Sequence, residues 1–159
     1  DNMIYKNQTV HSYKSAFLYQ TVSDGIHHWR FKVIQKKRLY GIDIGICKAS
    51  IMNEATEYYF TRKRENGYAY NCTNGNLYAP QINVNTSFPL NNVKCKENDV
   101  IDMFVDFEKR EIKYNVNDGD VSLAFTNIAK DKYRAAVAMS NVQDKLEFLS
   151  YEQLQTVPN

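Results

Sequence analysis

The stretch that most constrains this chain is Asn98 to Gly119, NDVIDMFVDFEKREIKYNVNDG. Ile101, Met103, Val105 and Phe107 fall at every second position. Side chains of an extended strand point to opposite faces in turn, so these four share one face. After Glu108-Lys109-Arg110, the residues Ile112, Tyr114 and Val116 repeat the pattern, alternating with Glu111, Lys113, Asn115 and Asn117. Two such runs joined by a few charged residues read as a hairpin with one apolar and one wet face. Asn117-Asp118-Gly119 closes the second strand, because these residue types tolerate positive φ. The rest of the sequence reads as partners for this hairpin.

Those partners are also short and extended. Asp24-Gly25 is a turn signal, and HHWRFKVI then sets Trp29, Phe31 and Val33 on one face and His28, Arg30 and Lys32 on the other. In YGIDIGIC, Ile42, Ile44 and Ile46 alternate with Gly41, Asp43, Gly45 and Cys47, leaving one face nearly bare. Glycine inside a strand commonly marks close approach of another element. Between Lys48 and Asn66, MNEATEYY reads either as a helical turn or as a loop ending in a short strand at Tyr58-Tyr59-Phe60. Gly67 to Tyr70 is strand-like, and Thr73-Asn74-Gly75 is a turn before Asn76-Leu77-Tyr78-Ala79. Pro80 to Lys94 is a long polar connection, and LAFTNI has a mixed pattern. Tyr133, Ala135, Val137 and Met139 alternate, Asn141 to Asp144 turns the chain, and Leu146 and Phe148 mark the last clear strand. Tyr5, Tyr13, Phe17 and Tyr19 are candidates to anchor an N-terminal strand or loop. The tail from Tyr151 to Asn159 is expected to be loosely held. Many short strands separated by turn residues predict an all-β sandwich or barrel.

Length and charge narrow the class further. At 159 residues the chain is expected to be one domain. It begins at Asp1 rather than Met and is read as a fragment of a longer protein. Twenty basic against eighteen acidic residues give no field to draw nucleic acid, and the basic runs Lys36-Lys37-Arg38 and Arg62-Lys63-Arg64 read as solvated loops. No apolar run approaches the ~18 residues needed to span a bilayer. Cys47, Cys72 and Cys95 are odd in number and widely spaced, so they read as free, buried thiols of a reducing compartment. Asn7-Gln8-Thr9, Asn71-Cys72-Thr73 and Asn85-Thr86-Ser87 match a glycosylation pattern that the free thiols argue against.

A search for catalytic or metal-binding chemistry gives little. His27 and His28 are adjacent on a strand and point to opposite faces, so they cannot share one metal. Aligning Gly119 with the invariant glycine of a calcium loop puts Tyr114, Val116 and Phe125 at ligand positions, and the match fails. Asp102 and Asp106 share a strand face roughly 13 Å apart, too far for paired acid–base work, and read as solvated or turn-capping residues. No metal, cofactor or catalytic residue is expected. Tyr70 and Tyr78 sit beside turns in an Asn-rich region, where tyrosine serves either as a binding anchor or as ordinary packing.

The order of these segments resembles the SPRY domain family. Gly25 to Val33 is similar to the family's G-x-x-x-W-E-V-x-V strand, and Ile42 to Ile46 to its x-V-G-V-A strand. Gly67 to Tyr70 and Asn76 to Tyr78 stand where the family has an aromatic strand and a short return strand. Glu97 to Ile101, Asn117 to Gly119 and Ala124-Phe125 resemble G-D-V-I-G … N-G … G-x-A-F. The chain departs from the pattern at Arg30, Asn98, Asp102 and Asp118, and lacks the family's tryptophan in Gly67 to Tyr70.

The resemblance implies a bent, jelly-roll β-sandwich of two antiparallel sheets, spanning about residues 5–151 of a single SPRY-like domain. It implies a non-catalytic, cytoplasmic, monomeric module that binds a short peptide or a partner's surface and engages neither nucleic acid nor membrane. Carried over by position, the binding site is Asn7, Gln8 and Val10, then Tyr70, Asn71 and Tyr78, then Met139, Ser140 and Asn141. Amides would hydrogen-bond an extended peptide while Tyr78 and Met139 supply apolar contact. Many such domains sit in ubiquitin-ligase adaptors or scaffolds, and the sequence leaves that context open. The alternative is a lectin-like sandwich that binds sugar.

Overall fold

The computed structural model describes residues 3–5, 14–36, 41–54, 66–80, 93–141 and 143–158. They form eleven strands and one 3-10 helix. The strands are β1 (Met3–Tyr5), β2 (Lys14–Phe17), β3 (Ile26–Gln35), β4 (Ile42–Lys48), β5 (Gly67–Asn71), β6 (Leu77–Tyr78), β7 (Val100–Asp106), β8 (Glu111–Val116), β9 (Ser122–Phe125), β10 (Tyr133–Met139) and β11 (Lys145–Leu154). The 3-10 helix, Ala49–Glu54, overlaps only the start of MNEATEYY, and residues 55–65, Tyr58 to Phe60 among them, lie outside the described residues. All pairings between strands are antiparallel. One sheet has the order β1-β11-β3-β7-β8-β9, the other β2-β10-β4-β5-β6.

The expected hairpin is β7–β8, with Ile101 opposite Val116 and Met103 opposite Tyr114. Its alternating residues face the inner layer, where Trp29, Phe31, Ile44, Ile101, Met103 and Tyr133 are fully buried. A hydroxyl ties the two sheets across this core: Tyr114 on β8 donates to the carbonyl of Ile44 on β4 at 3.0 Å.

Two expectations need correction, and one segment left open by its pattern is settled. The second face of β7 is not wet, because Asp102, Phe104 and Asp106 are as buried as the inward residues. LAFTNI holds a real strand, β9, paired with β8 through a register shift that obscures its alternation. The residues from Tyr151 to Leu154 are not loosely held but continue β11 against Trp29 to Ile26. The cause is a bulge at Leu149. Phe148 pairs with Phe31 and Ser150 with Arg30, so one residue is extra and the alternation changes phase. Leu149 itself is exposed, and Tyr151 turns inward onto Trp29, with ring centroids 5.3 Å apart.

Gly45 shows why one face of β4 must be bare. A β-carbon there would lie 1.8 Å from the carbonyl oxygen of Tyr68 and 2.7 Å from the α-carbon of Ala69. Both are backbone atoms of the neighbouring β5, which cannot yield.

Candidate functional site

Strand ends that flank six connections lie at one end of the sandwich, the β8–β9 turn among them, since the Asn117 amide bonds the Val100 carbonyl at 2.9 Å. Tyr5 pairs with Lys145 and Lys14 with Met139, so the residues flanking the β1–β2 connection both lie there. The ends of β3 and β10 and the start of β4 lie there too, since Lys145 pairs with Gln35 and Met139 with Ile42. The β5–β6 turn and the segment leading into β7 join them through two backbone bonds, Cys72 to Ile42 at 3.0 Å and Cys95 to Cys72 at 2.7 Å.

The rim is stiff because short polar side chains replace the ladder hydrogen bonds that the turns lack. Asn71 Oδ1 accepts from the amides of Thr73 at 3.0 Å and Asn74 at 3.1 Å, and from the Thr73 hydroxyl. Asn74 Oδ1 accepts in turn from the Asn76 amide at 2.9 Å. Across the rim, Asp144 Oδ2 accepts from the Asn141 side-chain amide at 2.9 Å and its backbone amide at 3.2 Å. Gly41 makes room for that knot. Its φ is +149°, and a β-carbon there would meet Ser140 Oγ at 2.5 Å and Asn141 Nδ2 and Asp144 Oδ2 at 2.9 Å. On the six-stranded sheet's side, Lys36 Nζ donates to the Cys95 carbonyl at 2.6 Å, and Asn117 Nδ2 to Asp99 Oδ1 at 2.8 Å.

The candidate binding residues divide by burial. Tyr78 is half-exposed on the edge strand β6, opposite Ala69 and on the outer face. Ser140 and Asn141 are at the rim and largely buried. Tyr70, Asn71 and Met139 are enclosed: Tyr70 packs at a tilt against Tyr114, 5.4 Å between centroids, and donates to the Val93 carbonyl at 3.2 Å. Of the two residues expected to give apolar contact, Tyr78 is available on the surface and Met139 is part of the core. The inward parity of β10, with Tyr133, Ala135 and Val137 in the same cluster, carries Met139 inside. Asn7, Gln8 and Val10 lie outside the described residues. Burial of Asn71 also closes the Asn71-Cys72-Thr73 glycosylation pattern in the folded chain.

Around these residues the surface is polar and of mixed charge. Asn76, Lys94, Lys96 and Glu97 are exposed, as is Val93. None of these exposed residues was singled out from the sequence as a contact. The place of Val93, Lys94, Lys96 and Glu97 near the β5–β6 turn depends on the long-range Cys72–Cys95 pairing, which no local pattern announces.

A second polar cluster crosses the outer face of the six-stranded sheet and was not anticipated. His28 on β3 sits between two carboxylates, with Nε2 2.6 Å from Asp102 Oδ1 on β7 and Nδ1 2.8 Å from Glu152 Oε1 on β11. Its ring stacks on Phe104 with centroids 4.4 Å apart. Arg30 Nε lies 3.1 Å from the same Asp102 oxygen, and the Arg30 guanidinium also contacts Asp118. Burial pulls the His28 pKa down, but hydrogen bonds and charge from Asp102 and Glu152 leave it raised above 6.5. Asp106 has the turn-capping role foreseen for it, accepting from the Lys109 amide at 2.8 Å. Among the described residues, no three His, Cys, Asp or Glu side chains gather as a metal ion would require.

Comparison with known proteins places this architecture. The model of the SPRY domain matches residues 26–153. The crystal structure of the SPRY domain of human HERC1 superposes with a TM-score of 0.71 at 20% identity, covering 93% of this chain and 87% of that one. A crystal structure of a human SPRY domain gives 0.69 at 12% identity, covering 92% and 90%. At such identities these likenesses speak for the fold alone. Among curated proteins, none matches the sequence.

Proposed function

The chain belongs to the SPRY domain family, generally a family of protein-interaction modules, and from that premise we propose that its rim binds a short peptide or a partner's surface. The observation that carries this reading is the convergence, on one end of a two-sheet body, of the strand ends that flank six connections. Loops held on a stiff scaffold are the usual seat of recognition, because the scaffold has already met the entropic cost of fixing them.

Tyr78 is the anchor of this site. Its ring offers apolar area and its hydroxyl a hydrogen-bonding tip, while Asn74 and Asn76 beside it supply amides. Asn71, Tyr70 and Met139 act from behind, fixing the β5–β6 turn and the end of β10 rather than touching the partner. Asn7, Gln8 and Val10 join the site through the β1–β2 connection, whose flanking residues Tyr5 and Lys14 stand at the same end. Binding involves no bond making or breaking. The module acts as a monomer inside the cell, on a scaffold or in a ubiquitin-ligase adaptor.

A peptide array probed beside a glycan array tests the class of ligand. Selective retention on a family of related peptides is expected. Retention on glycans with none on peptides would move the protein to the lectin-like alternative.

A further inference from the structure

The sequence presents three cysteines with no common motif, yet the fold brings two of them together. Cys95 donates its backbone amide to the Cys72 carbonyl at 2.7 Å, and the Cys72 thiol hydrogen-bonds the Cys95 sulfur. A direct backbone bond of this kind keeps the two α-carbons within the span a disulfide bridges, about 4.4–6.8 Å. Both are free thiols, and the third, Cys47, is buried on the outer face of β4 in a separate cluster with Ala69, Ala136 and Ala138.

The surroundings of the pair are asymmetric. The Tyr70 hydroxyl lies 3.9 Å from the Cys95 sulfur, and the Lys36 ammonium sits 2.6 Å from the Cys95 carbonyl. The hydrogen bond from Cys72 and the field of Lys36 favour the Cys95 thiolate, against burial and the Asp99 carboxylate. The bond from Cys72 outweighs burial, and the Cys95 pKa is lowered. The Cys72 pKa is raised by the same bond and then by burial. The Cys47 thiol, with burial and no such donors, is pushed up to about 12. Both sulfurs of the pair are enclosed, but Cys95 lies outside the strands and is preceded by exposed Val93 and Lys94. Local opening there needs fewer broken contacts than opening a strand.

We propose that Cys72 and Cys95 form a redox-responsive pair, closed to a disulfide by a small peroxide and reopened by a thiol. The Cys95 thiolate attacks hydrogen peroxide: an S–O bond forms, the O–O bond breaks, and the departing hydroxide takes up a proton as water. Cys72 then gives up its proton and attacks the Cys95 sulfenic sulfur. The S–S bond forms, the S–O bond breaks, and the second oxygen leaves as water. Two thiols and one peroxide yield one disulfide and two waters, sulfur being oxidised and peroxide reduced. The bond would staple the base of the β5–β6 turn to the segment before β7, closing the chain between them into a covalent loop at the rim. The inference stands whether or not that rim binds a peptide.

The test treats the native protein with hydrogen peroxide, then denatures, alkylates and maps it. The expected product links the Cys72 and Cys95 peptides, leaves Cys47 alkylated, and melts at a higher temperature than the reduced protein. Excess dithiothreitol restores three alkylated cysteines and the original melting temperature. In Cys72→Ser, dimedone should label Cys95 in preference to Cys47. Three alkylated cysteines after peroxide, or a disulfide that includes Cys47, would overturn the proposal. If Cys72→Ser fails to fold, the wild-type map decides by itself.

Discussion

His28 and Asp102 stand side by side on neighbouring strands, the ring Nε2 2.6 Å from the carboxylate Oδ1, while Glu152 holds the other ring nitrogen at 2.8 Å. An imidazole can serve two carboxylates only when both nitrogens carry protons. The geometry therefore describes His28 as a cation, in line with its raised pKa. Its charge fastens the last residues of β11 to β3 and β7, where the chain would otherwise rely on a bulged ladder.

This pair gives the domain a pH dependence of known sign. The folded pKa of His28 lies above the unfolded value of 6.5, so its stabilisation is complete below that value and is lost as pH rises through the folded one. The melting temperature should fall between about pH 6 and pH 8 by more in the wild type than in His28→Gln. Equal slopes would mean that the ring is neutral. Glu152 is 56% exposed and Asp102 is 3% exposed on their side chains, so the two partners are not equivalent. Glu152→Gln should cost about 0–1 kcal/mol and lose that effect in high salt, whereas Asp102→Asn should cost more and be salt-insensitive.

Gly45 predicts a sharp contrast between two alanine substitutions. In Gly45→Ala the new methyl falls 1.8 Å from the Tyr68 carbonyl oxygen, so β4 and β5 must separate. A loss of about 3 kcal/mol or more in denaturant unfolding is expected. In Gly119→Ala the nearest atom is 3.1 Å away, the carbonyl oxygen of Val116, at the edge of a turn. That variant should lose less than about 1 kcal/mol. Similar losses in the two would show that β5 does not approach β4 as described.

Asn71→Ala removes the acceptor for two backbone amides and a hydroxyl in the β5–β6 turn. Leaving enclosed donors unmet should cost about 1–3 kcal/mol. Hydrogen exchange at the Thr73 and Asn74 amides should rise by more than that of the β7 amides. Unchanged protection at Thr73 would place the turn's stability elsewhere.

The legible parts of the fold were those where local alternation and packing agree. The β7–β8 hairpin, the inward face of β3 and the bare face of β4 all follow from period-two patterns, and each is present in the structure. The alternation of the last strand breaks off early in the sequence because the bulge at Leu149 moves the inward set from Leu146 and Phe148 to Tyr151. A parity rule cannot see across such an insertion. The outer face of β7 was misread for a different reason: Asp102 is polar in type yet buried by cross-strand partners, His28 and Arg30, that lie more than seventy residues away. In the candidate site, the turn residues were legible, but the division between Tyr78 on the surface and Tyr70 in the core was not. Both are tyrosines beside turns, and only the pairing of Leu77 with Tyr70 and of Tyr78 with Ala69 separates them.

The rim as a binding surface is tested most directly by calorimetric titration of a peptide selected on the array against three forms of the protein. These are the wild type, Tyr78→Ala, and Leu149→Ala, the last altering an exposed residue on the other sheet. Tyr78→Ala should weaken binding by about 2 kcal/mol, roughly thirtyfold, with its melting temperature little changed, and Leu149→Ala should bind as the wild type does. Wild-type affinity in Tyr78→Ala, or an equal loss in Leu149→Ala, would contradict the account.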